Sequence, residues 1–136
     1  MMTRREEVTE AIKELLEEEI PDVEWLTLIN GAKRGKAITG TITCDRISFA
    51  NDCKGEREAT AKYTIYILDN SSIEGVDAIA DKADKVLTAN PDLNRWATDS
   101  RIKEIVFGVA QGKEKSGLAC IIFEVKFDLI PTYEEE

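Results

Sequence analysis

Glu58–Leu68, E-A-T-A-K-Y-T-I-Y-I-L, alternates Ala59, Ala61, Tyr63, Ile65 and Ile67 with Thr60, Lys62, Thr64 and Tyr66. A period of two belongs to a strand with one buried face and one face at least partly wet. Tyrosine, threonine and isoleucine suit a pleated surface. The stretch therefore commits the chain to a sheet with a dry side, and the neighbouring sequence has to supply what covers it.

Downstream, Asp69-Asn70-Ser71-Ser72 is a turn cluster, and Ser71-Ser72-Ile73-Glu74 has the form of a capping box that opens a helix. Val76, Ile79, Ala80, Ala83, Val86 and Leu87 recur at helical spacing, leaving Asp77, Asp81, Lys82, Asp84 and Lys85 outside. Asp81 and Lys85 make an i,i+4 pair, and Asn90-Pro91 ends the helix. Asp92–Asp99 reads as a connector containing Trp96. Arg101–Ala110 reads as a strand and Gln111–Gly117 as a polar hairpin turn. In the last strand Ala119, Ile121, Phe123, Val125, Phe127 and Leu129 alternate with Cys120, Ile122, Glu124, Lys126 and Asp128. Pro131 closes that strand, and the acidic tail 131–136 is expected to be disordered.

Upstream, Cys44–Arg57 shows no clear period and carries Ile47 and Phe49 among charges of both signs. It reads as a surface arm or partner-binding loop, or as an irregular strand edge. Lys36–Thr43 and Val23–Ile29 read as two strands forming a hairpin across the basic tip Gly31–Lys36. That tip fails the phosphate-cradle pattern, with three residues between Gly31 and Gly35 and Ala37 after Lys36. Thr3–Glu19 is an amphipathic helix, with Val8, Ala11, Ile12, Leu15 and Leu16 on one side and Pro21 as its stop.

The expected architecture is α+β, a single domain over 1–136. It has one antiparallel-rich β-sheet of about five strands with two α-helices packed on one face, in the order α-β-β-β-α-β-β. The inward rows should meet Val8, Ile12 and Leu15 from one helix and Val76, Ile79 and Ala83 from the other.

A net charge of -9 without histidine argues against gripping nucleic acid or anionic lipid, both of which need clustered Lys and Arg. The apolar runs are too short to span a membrane. Met1-Met2-Thr3-Arg4-Arg5 leads directly into acidic helix-like sequence, so a cytoplasmic origin is expected. Cys44, Cys53 and Cys120 read as free thiols, with no spacing for a structural zinc. Carboxylates lie on helix exteriors or in the tail, where burial cannot tune them, and no base or cysteine activator is identifiable. No catalytic residue, metal or cofactor is expected. The second face of the sheet is more informative. Tyr66, Leu68, Cys120, Ile122 and either Ile102 or Val106 place apolar groups where a two-layer domain meets water, which marks an interaction surface unless they are scattered singly or covered by the Asp92–Asp99 connector and Trp96.

The layout E-A-I-K-E-L-L-E-E-E-I-P, Y-T-I-Y-I-L-D, V-D-A-I-A-D-K-A-D-K-V-L, E-I-V-F-G-V and I-I-F-E-V-K-F resembles tail terminator (tail completion) proteins of long-tailed bacteriophages and prophages. The likeness lies in order and texture over about Glu7–Leu129, with no invariant motif. Other phage head–tail connector proteins share the texture. The resemblance implies a structural subunit forming a hexameric ring at the head-proximal end of the tail tube. Such a ring ends tail polymerisation and offers a joining surface to the head. Its partners would be itself, the tail-tube protein and a head–tail connector protein, with no catalysis or cofactor. It would act in the bacterial host cytoplasm during assembly and then in the virion tail. Apart from the resemblance, the loop reading makes Arg46, Phe49, Lys54, Arg57, Lys33 and Arg34 candidate ring or tube contacts beside Tyr66, Leu68 and Ile122. The alternative function is a soluble small-ligand-binding or regulatory domain with a pocket between sheet and helices. An enzyme working through carboxylates is a third reading.

Overall fold

Two helices and five strands follow one another in the computed structural model, which describes residues 4–27, 38–50, 57–69, 73–93, 95–109 and 117–129. They are α1 (Arg4–Glu19), β1 (Glu24–Thr27), β2 (Ile38–Ala50), β3 (Arg57–Asp69), α2 (Ile73–Ala89), β4 (Asp99–Val109) and β5 (Gly117–Leu129). The order is the α+β order read from the sequence. The strands form one sheet in the order β1-β2-β3-β5-β4.

The pair β3–β5 is its spine, antiparallel and in unbroken register from Arg57↔Leu129 to Asp69↔Gly117. Their inward rows, Ala59/Ala61/Tyr63/Ile65/Ile67 and Ala119/Ile121/Phe123/Val125/Phe127, are all at most 1% exposed. They share a single core with Val8, Ile12 and Leu16 of α1 and Val76, Ala83 and Leu87 of α2. Each large aliphatic side chain buried here contributes about 1.5–3 kcal/mol. Both helices therefore lie on one face, and the expected meeting residues are in place except that Leu16, not Leu15, is the fully buried one. The Asp81–Lys85 pair forms at 3.1 Å, well exposed and of little energetic weight.

The expected β1–β2 hairpin is corrected: β1 runs parallel to β2. A hairpin closed symmetrically about Lys33-Arg34 would set Trp25 opposite Ile42. The parallel register sets it opposite Gly40 instead. A Cβ on Gly40 would stand 2.3 Å from two carbons of the Trp25 ring, so the indole occupies the space the glycine leaves. Its N–H donates to the Ile20 carbonyl at 3.0 Å, tying β1 to the end of α1.

The irregular Cys44–Arg57 stretch is corrected in part. Residues 44–50 continue β2, and Arg57 opens β3; residues 51–56 lie outside the described set. A bulge at Asp45 explains the missing period. Inward positions run Gly40, Ile42, Cys44 before it and Ile47, Phe49 after it, so parity flips once. Thr64 donates its hydroxyl to the Asp45 carboxylate across the strand pair. A second bulge at Lys103 does the same in β4. Ser100 and Ile102 face the helices before it, Ile105 and Phe107 after it.

The connector from α2 to β4 is ordered by burial. Leu93 is fully buried with φ 48, and Arg95 has φ 80. Ala97 N–H donates to Asp92 O at 2.9 Å and Thr98 N–H to Lys126 O at 2.8 Å. Tyr63, inside the core, bonds the buried Thr9 hydroxyl at 2.8 Å, and Thr9 in turn donates to Arg5 O at 2.8 Å.

Gly40→Ala should displace Trp25 and cost about 1–3 kcal/mol in denaturant unfolding, with a red-shifted tryptophan emission. Burial, the largest cause, pushes the Tyr63 phenol well above the ordinary tyrosine range. The unfolded chain therefore loses this proton first, and stability present below about pH 10 falls as pH rises beyond it. Tyr63→Phe should cost about 0.5–1.5 kcal/mol at neutral pH and flatten that alkaline fall, measured as unfolding free energy against pH.

Candidate assembly surface

Because both helices share one side, the other side of the sheet carries the side chains of the alternate residues. The register orders them into cross-strand rows. One row crosses all five strands as Leu26, Thr41, Tyr66, Cys120 and Val106. Thr39, Leu68 and Leu118 lie beside it in one direction, and Thr43, Thr64, Ile122 and Glu104 in the other. Tyr66 is 42% and Val106 49% exposed, whereas Leu26, Leu68, Leu118, Cys120 and Ile122 are half-buried. This end of the open face is an apolar and threonine-lined belt.

The other end is charged. Arg46, Lys62, Glu124 and Arg101 form one row, and Ser48, Thr60, Lys126 and Asp99 the next. These rows hold four cations against two carboxylates, and the adjoining Glu58–Asp128 row and the Asp45 carboxylate bring three more, so this end of the face carries mixed charge. A second group of carboxylates, Glu14, Glu17 and Glu18, is exposed along the outer side of α1.

The structure sorts the expected site residues into separate places. Tyr66, Leu68 and Ile122 share the open face and lie within neighbouring rows. Arg46 is exposed on the same face, in the charged part. Phe49 is not with them: it pairs with Ala59 and points to the helix side, 46% exposed at the sheet's end. Ile102 also faces the helices and packs on the core, so of the two β4 candidates Val106 is the open-face one. Lys33, Arg34 and Lys54 lie outside the described residues, as does the Arg57 side chain. The sequence reading missed Leu26, Thr41 and Leu118. The threonine alternation of I-T-G-T-I-T was visible, but its level on the sheet depends on the parallel β1–β2 register.

The connector does not shield the belt. Its Leu93 and Trp96 belong to the core side, and Thr98 is anchored at Lys126, opposite Thr60. Thr60 stands six residues from Tyr66 along β3, about 20 Å away.

Burial raises the Cys44 and Cys120 thiols above the ordinary cysteine range, which disfavours the thiolate that a nucleophile or ligand would need. Among the described residues no group of three or more His, Cys, Asp or Glu is placed to hold a metal ion. Among them, too, no helix is long and apolar enough to cross a membrane. Core side chains pack between helices and sheet, and an open cleft lined by Asp84, Leu87 and Thr88 of α2 and by Ser100, Ile102 and Ile105 of β4 lies at the sheet's edge.

No protein-family model matches the chain, and no curated protein matches it. Among solved structures the fold resembles a chain in the virion of a native gene transfer agent particle, with a TM-score of 0.63 over 89% of this chain and 94% of that one. At 7% identity the likeness is one of fold, and it extends over nearly the whole of both chains.

Proposed function

We propose that this protein is a structural subunit of a phage-like particle, and specifically a tail terminator. In this role copies of the chain assemble into a hexameric ring on the head-proximal end of the tail tube. The ring stops polymerisation of the tail-tube protein and presents a surface to the head–tail connector. The observation that carries the reading is the near-complete fold likeness to a virion chain. The open sheet face supports it, because an apolar belt crossing five strands suits a neighbouring subunit. The small-ligand alternative would have to use the open cleft between α2 and β4, lined by Asp84, Leu87, Thr88, Ile102 and Ile105.

Tyr66, Leu68 and Ile122 are the proposed subunit contacts, with Leu26 and Val106 extending them. From Thr60 to Leu68 the face is about 26 Å tall, and five strands make it about 19 Å wide. That is on the order of 500 Å² in projection, below the roughly 800 Å² of one partner's share of a standard interface.

Tyr66→Glu and Ile122→Glu should each abolish ring formation, seen by electron microscopy of the chain with its cognate tail-tube protein, while far-ultraviolet circular dichroism stays unchanged. Tubes grown with the wild-type chain should stop and carry a ring at one end. Normal assembly of both variants, or tube growth indifferent to the chain, would contradict the reading.

A further inference from the structure

The sheet ends at β4, and this edge carries apolar groups on both faces. Among the described residues β4 pairs with β5 alone, so the backbone groups of its other side have no strand beside them. The stretch Ile105–Gly108 holds no charge. It shows Val106 on the open face at 49% exposure and Phe107 on the helix side at 53%. An apolar edge of this kind is a template for a further strand. Phe107 stands one pleat past Ile105, where the cleft between α2 and β4 begins. That cleft runs back along β4 to Ser100, beside Leu87 and Thr88 of α2. Each copy thus holds an exposed aromatic side chain near one end of the strand and an open cleft along the other.

We infer that two copies of the free chain pair through their β4 edges about a two-fold axis, the Phe107 of each filling the other's cleft at Ser100. Opposite residues of an antiparallel pair lie on the same face, and the Lys103 bulge decides which register satisfies this. Ser100 and Ile102 face the helices before the bulge, and Ile105 and Phe107 after it. A two-fold between Lys103 and Glu104 sets Ile102 opposite Ile105 and Ser100 opposite Phe107, all on the helix side. On the open face it sets Arg101 opposite Val106 and Asp99 opposite Gly108. At the centre Lys103 meets Glu104 twice, charge against opposite charge. Moving the axis to between Ile102 and Lys103 would set those two against each other and carry Phe107 past the cleft. Moving it the other way would oppose Glu104 and Ile105, which lie on different faces. One edge that complements itself is what a two-fold contact requires. This pairing goes beyond the ring reading, since it uses the edge and leaves the Tyr66 belt open.

Sedimentation equilibrium of the chain alone tests the pairing, and the wild type should move from monomer to dimer as its concentration rises. Phe107→Ala should raise the dimer dissociation constant at least about tenfold. Lys103→Glu and Glu104→Lys should each weaken the dimer. Together they should restore it to within about threefold of wild type, because each pair is reversed and not removed. Tyr66→Glu should leave it unchanged. The register is read by disulfide formation, with Cys44, Cys53 and Cys120 changed to serine. A mixture of Arg101→Cys and Val106→Cys chains should give a cross-linked dimer on oxidation with diamide, whereas Val106→Cys alone should not. Circular dichroism confirms that each variant is folded. A wild type still monomeric at about millimolar concentration would overturn the inference. So would a Phe107→Ala variant that associates like wild type, or a mixture that does not cross-link. Association lost in Tyr66→Glu but kept in Phe107→Ala would assign the contact to the open face instead. A monomeric wild type whose binding to tail-tube protein is lost in Phe107→Ala would give the edge to a partner's strand, and self-pairing fails in that case too.

Discussion

The constraint on which the rest depends is the one-sided burial of the β3–β5 pair. Two strands of thirteen residues run in unbroken antiparallel register, and every described inward side chain from Ala59 to Ile67 and from Ala119 to Phe127 is withdrawn from water. A sheet buried so completely on one face has to be covered there, and α1 and α2 are the cover. The bulges at Asp45 and Lys103 follow from the same demand. Each flips the parity of an outer strand once, so that Ile47 and Ile105 still face inward beside Ala61 and Ile121.

What the sequence disclosed follows from this. Where alternation is uninterrupted, as in Tyr63–Ile67 or Ile121–Phe127, period two is legible and the strands were read correctly. The helical stripes were equally plain, because Val8/Ile12/Leu16 and Val76/Ala83/Leu87 repeat without a break. The end of β2 was not legible, because a single inserted residue at Asp45 cancels the period over a short window. The parallel setting of β1 was hidden for another reason. It is specified by the fit of Trp25 over Gly40, a contact between residues that no local pattern connects. Leu93 and Thr9 were also missed. One is an apolar residue in a polar connector, the other a polar residue on a core stripe, and their burial depends on tertiary neighbours.

The candidate surface was legible in kind more than in membership. Tyr66 and Ile122 stand out from sequence as apolar residues on the wetter side of their strands. Their alignment with Leu26, Thr41, Cys120 and Val106 exists only through register, and Phe49 left the group because the Asp45 bulge turned it to the helix side. The surface is graded, with an apolar belt at one end and mixed charge at the other. Such grading suits subunit contact: the belt supplies burial, while charged rows set orientation and exclude wrong registers.

In the proposed assembly the open face is water-exposed in the free subunit and buried in the ring. Cys120 lies in the middle of the belt, half-buried in the isolated chain. Its rate of thiol modification, with Cys44 and Cys53 changed to serine, should be measured in the free chain and in rings on the tail tube. Steady labelling of the free subunit and strong protection in the ring are expected. Equal labelling rates in the two states would contradict that burial.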